Sequence, residues 1–131
     1  MATVPLLNDE AASDEARAVF DAIRAARGGD YVNNFWRALA HDPALLRATW
    51  ERLQDVMAPG ALDPMVKELI YIAVSTVNGC SYCVHSHTAA ARARGMSAAQ
   101  HGELMAVIAL AMQTNALATA LQVETDDRFQ A

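Results

Sequence analysis

The sequence predicts an all-α fold, and three observations carry that expectation. Apolar residues recur at helical spacing, as in Ala16, Val19, Phe20 and Ile23. Start signals (Ser13, Asp42-Pro43, Asp63-Pro64, Ser97) alternate with stop signals (Gly28-Gly29, Pro59-Gly60, Asn78-Gly79, Gly95) at short intervals. After Gly95 the alanine- and leucine-rich sequence carries no strand signal.

Each element follows from those signals. Ser13, followed by acidic residues, caps a first helix that the two glycines end. A short second helix covers 34–40, with Phe35, Trp36 and Leu39 apolar. Asp42-Pro43 opens a third helix that ends near Pro59-Gly60, and Asp63-Pro64 opens a fourth that ends at Asn78-Gly79. The fifth helix carries the cysteines and stops at Gly95. Ser97 caps the last, which runs to about Glu124 with a break expected near 113–115. Trp36, Phe35 and Met57 read as ordinary core rather than as the mouth of a pocket.

One stretch is ambiguous. "ELIYIAVSTV" is rich in β-branched residues and resembles a buried strand. A strand feeding a Cys-x-x-Cys helix would suggest a thioredoxin-like fold, which needs later strands and a cis-proline facing the cysteines. All four prolines precede the cysteines, so the stretch reads as a helix buried nearly all round. The fourth and fifth helices then form a central hairpin that carries Cys-x-x-Cys.

At 131 residues the chain is expected to be a single domain over 1–131. No uninterrupted apolar run reaches the ~18 residues that span a bilayer, and "MATVPLLNDEAASDEAR" lacks the pattern of a secretory signal. A cytoplasmic location without membrane attachment is the expectation. A net charge of -5, with no basic patch, argues against nucleic acid as a partner. Hydrophobic residues make up 53% of the chain, and the fourth and last helices are apolar on more than one face. That excess predicts a homo-oligomer.

Chemistry concentrates in "NGCSYCVHSH", which holds both cysteines and two of the four histidines. On a helix, Cys80, Cys83 and His87 fall on one face, while His85 and Tyr82 point elsewhere. Residues three apart on a helix lie about 5 Å apart, within disulfide reach. The helix N-terminus, with its unpaired N–H groups and positive dipole end, favours a thiolate. In an antiparallel hairpin turning at Gly79, Glu68 comes within a turn of His87. A carboxylate among Leu69, Ile70 and Ile72 is costly to bury unless hydrogen-bonded or protonated, and a Glu–His–Cys proton relay meets that need. Zinc held by Cys80, Cys83 and His85 or His87 is disfavoured, because structural sites take two ligand pairs and no second pair exists. Lys67, the only lysine, reads as a snorkelling cation beside Glu68 rather than a Schiff-base nucleophile. A redox pair without metal is the reading the residues favour.

Glu68, eleven residues, Cys80-Ser81-Tyr82-Cys83, three residues and His87 resemble the signature of the AhpD-like alkylhydroperoxidase branch of the carboxymuconolactone decarboxylase family. The upstream "NNFWRALAHDPALLRATWERLQ" is similar to that family's lead-in, so the likeness covers roughly 14–124. The resemblance implies an AhpD-like helical bundle assembled as a homotrimer or homohexamer, with no metal or organic cofactor beyond the redox-active pair Cys80–Cys83. It implies that Cys83 attacks a hydroperoxide, Cys80 resolves the sulfenic acid, and Glu68 and His87 move protons. It also implies an external dithiol reductant of lipoamide or thioredoxin type. Tyr82 stands where founding members carry a second histidine. The competing readings are a cofactor-free decarboxylase or lactone-processing enzyme using His87 and Glu68, and a non-enzymatic redox sensor.

Overall fold

The structure, a computed structural model, describes residues 1–129. Among them it contains six α-helices, one short 3-10 turn and no strand. The chain divides into two compact units, 1–58 and 59–131.

The first unit holds α1 (Asp14–Arg27), α2 (Asn34–Leu39) and α3 (Pro43–Met57). Ser13 caps α1 through its hydroxyl, which accepts from the Ala16 amide at 3.2 Å. Gly28 ends it at φ 69°, a left-handed conformation that glycine adopts without strain. The expected stripe is the buried one: Ala16, Val19, Phe20 and Ile23 meet Val32, Trp36, Leu46 and Trp50. Trp36 and Trp50 pack edge to face with ring centroids 5.4 Å apart. Phe35 departs from its expected place in the core. It lies exposed against the Trp36 ring, because a helix of six residues buries only one side. The N-terminal segment is strapped onto this unit by arginines. Arg37 Nη1 donates to the Leu7 carbonyl at 2.9 Å, and Arg24 and Arg37 both engage the Asp9 carboxylate.

The second unit holds α4 (Pro64–Val77), α5 (Ser81–Ala93), α6 (Ala98–Ala120) and the 3-10 turn Asp127–Phe129. The ambiguous stretch is helical, with Asp63 accepting from the Met65 amide at 2.8 Å ahead of Pro64. Asn78 closes α4, Gly79 turns the chain at φ 69°, and the Cys80 amide donates back to the Ser75 carbonyl at 2.9 Å. That tight reversal makes α4 and α5 an antiparallel hairpin. Ile72, Ala91, Met96 and Ile108 form the core where α6 meets it.

Three expectations change here. The helix α4 is not buried nearly all round: Ile70, Val74 and Val77 face outward, because α5 and α6 cover only one side of it. The last helix has no break at 113–115 and ends at Ala120, short of Glu124. Gln113, Thr114 and Asn115 are all exposed, so polar side chains there reach water without interrupting the backbone ladder. That unbroken α6, with its Ser97–Gln100 capping box, also alters the membrane arithmetic. No uninterrupted apolar run reaches 18 residues, yet an 18-residue window of α6 has mean hydropathy 1.3. By length and composition alone it is long enough to cross a bilayer.

Candidate active site

The site is built at the closed end and along the facing sides of the α4–α5 hairpin. Cys80 is the N-cap residue of α5 rather than part of its first turn, and its sulfur accepts from the Cys83 amide at 3.3 Å. A sulfur in that position meets a backbone donor and the positive end of the helix, both of which favour negative charge on it. Cys80 and Cys83 are joined as a disulfide across Cα atoms 5.4 Å apart, the span that helical spacing predicts. Both cysteines are half-buried, so the bond sits at the surface of the unit and not in its core.

Glu68 is 4% exposed, and the chain compensates its burial with two partners. Oε2 lies 2.7 Å from His87 Nδ1, and Oε1 lies 3.5 Å from Arg94 Nε. The two oxygens are thus divided between an imidazole inside the hairpin and a guanidinium at its half-exposed edge. Hairpin pairing about Gly79 sets position 90 opposite Glu68, and the two partners lie one turn to either side of it. The carboxylate is satisfied along the same face on which the cysteines begin. Sequence reasoning brought Glu68 and His87 together correctly.

His87 has a second neighbour that sequence reasoning missed. The Tyr71 ring stacks on it, with centroids 3.5 Å apart and planes 18° apart. Arg94 was missed as well. Both left signals: Tyr71 lies one turn beyond Glu68 on α4, and Arg94 lies two turns beyond His87 on α5. Lys67 stands with its ammonium close to Gly60, 3.6 Å from where a side chain there would begin. Adjacent residues on a helix do not share a face, so Lys67 and Glu68 diverge.

His85 and Tyr82 are exposed, away from the Cys80–Cys83–His87 face, as their spacing required. Among the described residues no three His, Cys, Asp or Glu side chains converge as metal ligands. The arrangement offers a disulfide–dithiol pair, a neighbouring imidazole one turn along the same helix, and a buried carboxylate that orients that imidazole. Together these parts can form and break a sulfur–sulfur bond and move one proton.

Comparison with known proteins points the same way. The model of the carboxymuconolactone decarboxylase family matches residues 43–126. The chain is 31% identical over 122 residues to the alkyl hydroperoxide reductase AhpD of Maricaulis maris, covering 86% of this chain and 64% of that protein. It is 32% identical over 123 residues to the AhpD of Solibacter usitatus, covering 92% and 68%. The chain therefore spans about two thirds of the length of these relatives. A crystal structure of an alkylhydroperoxidase AhpD core from Rhodospirillum rubrum is 60% identical, with a TM-score of 0.96 over 100% of this chain and 98% of that one.

Proposed function

The chain belongs to the carboxymuconolactone decarboxylase family, and from that premise we propose that it is a thiol-dependent peroxidase of the alkylhydroperoxidase type. The observation that carries this reading is the bonded Cys80–Cys83 pair on the helix whose next turn presents His87, itself held by buried Glu68. The names of the relatives support the substrate class.

In the reduced protein His87 takes the proton of Cys83. The Glu68 carboxylate accepts from Nδ1–H, which leaves Nε2 as the basic nitrogen of the neutral ring. The Cys83 thiolate attacks the terminal peroxide oxygen, and the O–O bond breaks. The leaving alkoxide takes the proton back from His87 and departs as alcohol, leaving Cys83 as sulfenic acid. Cys80, its sulfur favoured as thiolate at the N-cap, attacks the Cys83 sulfur; hydroxide leaves, is protonated to water, and the disulfide forms. Two electrons from an external dithiol, of lipoamide or thioredoxin type, restore both thiols by exchange. No further cofactor takes part in this cycle.

The rest of the reading extends from the same premise. The chain acts as one AhpD-like domain over 1–131, which the likeness to the solved core along its whole length supports. It assembles as a homotrimer or homohexamer, for which the exposed apolar sides of α4 and α6 are the support, and it works in the cytoplasm.

The test is hydroperoxide consumption by the purified protein with a panel of dithiol donors. Cys83→Ser is expected to abolish turnover. Cys80→Ser is expected to stop after one equivalent, with a sulfenic acid that dimedone traps. Full activity in Cys83→Ser would remove the thiol mechanism, and an activity on a carboxylated ring that survives alkylation of both thiols would replace the peroxidase with the decarboxylase. Disulfide formation without turnover on any donor would leave a redox sensor.

A further inference from the structure

His87 is held from two directions. At the edge of its ring, Nδ1 lies 2.7 Å from Glu68 Oε2. Against its face, the Tyr71 ring stacks at 3.5 Å between centroids and 18° between planes. Both partners come from α4, three residues apart, so one helical turn supplies the hydrogen bond and the stack together.

The two contacts remove different freedoms. The outer torsion of a histidine side chain is broad, and a single hydrogen bond acts as a pivot about which the ring can still swing. A ring stacked on its face blocks that swing. The phenol also presents its electron-rich face to the imidazole, an attraction that strengthens when the imidazole becomes a cation. In the cycle above, that cation exists while His87 holds the Cys83 proton.

We propose that Tyr71 is a positioning residue for His87: its ring and the Glu68 carboxylate together hold the imidazole in one orientation beside the cysteine pair during thiol ionisation. The inference rests on the peroxidase reading of that pair but concerns its proton step alone. Tyr71 is 36% exposed, so replacing it uncovers one face of the imidazole without hollowing a core.

The experiment compares wild type, Tyr71→Phe and Tyr71→Leu as reduced proteins. Thermal melting first establishes that all three fold. Stacking shields the imidazole protons of His87, so its ring resonances, assigned by their loss in His87→Asn, are expected upfield in wild type and Tyr71→Phe. In Tyr71→Leu they are expected to move downfield. Iodoacetamide alkylation and hydroperoxide kcat are expected to fall roughly 3- to 10-fold in Tyr71→Leu, the range one aromatic contact supports, with KM unchanged. Tyr71→Phe restores both. Equal alkylation rates in all three proteins, or a Phe variant that keeps the shielded resonance but not the rate, would overturn the inference. A wild type that consumes no hydroperoxide while the alkylation difference persists would remove the peroxidase reading and leave the role of Tyr71 supported.

Discussion

Glu68 shows how a single residue ties stability to chemistry. Its carboxylate is almost fully buried, yet one oxygen meets His87 and the other Arg94. Replacing it with leucine leaves an imidazole N–H and a guanidinium without their acceptor. The expected cost is about 1–3 kcal/mol, read from the urea midpoint. Replacing it with glutamine keeps an acceptor oxygen for Nδ1 but removes the charge that balances an imidazolium. Glu68→Gln is expected to fold normally and to lose hydroperoxide turnover on the order of 10²-fold, the low end for a lost proton-transfer partner. A glutamine variant of unchanged kcat would show that Glu68 is structural only.

At the scale of elements, the α4–α5 turn and the N-terminal strap make separable predictions. Gly79 sits at φ 69°, and an added Cβ would meet nothing within 4 Å, so the only penalty of Gly79→Ala is backbone strain. That strain amounts to roughly 1–2 kcal/mol, a loss that differential scanning calorimetry would register as a lower Tm. The strap depends on Asp9. The Arg24 hydrogen bond first, reinforced by Arg37, holds its carboxyl below the ordinary value of 3.8 despite partial desolvation. A carboxyl depressed in the folded state stabilises above its unfolded pKa, and that stabilisation is lost as pH falls through the folded value. Asp9→Asn is therefore expected to melt earlier than wild type at neutral pH. The gap should begin to close in acid below about pH 4, the unfolded aspartate value, and vanish once the pH falls below the lower folded value. A gap that persists unchanged in acid would mean the carboxylate charge plays no part.

For the whole molecule, the bare apolar side of α6 calls for a cover. Val107 and Leu110 are 64% and 60% exposed, and Ile70, Val74 and Val77 add an outward apolar row on α4. Surface of that kind is unusual on a protein that works alone. A second copy of the chain is the occupant consistent with the proposed assembly. Light scattering in detergent-free buffer should then give a mass several times 14.1 kDa. Glutamate at both Val107 and Leu110 should return it toward the monomer. Partition of the wild-type protein into a membrane fraction, recoverable only with detergent, would point instead to a bilayer as the cover for α6.

Local rules carried most of the fold and much of the site. Caps at Ser13, Asp42, Asp63 and Ser97 and turns at Gly28, Gly79 and Gly95 act over a few residues, so their effect is visible in the order of amino acids. Helical periodicity likewise sets Cys83 and His87 on one face, Cys80 joins Cys83 from the N-cap position, and hairpin symmetry extends the arrangement to Glu68. What only tertiary structure decided is which neighbours complete a polar or apolar surface. Tyr71 and Arg94 became partners of the site because two helices pack at one particular rotation, and side-chain composition does not encode that rotation. The bareness of α4 and α6 is of the same kind, since exposure depends on which other elements a chain possesses to lay against them.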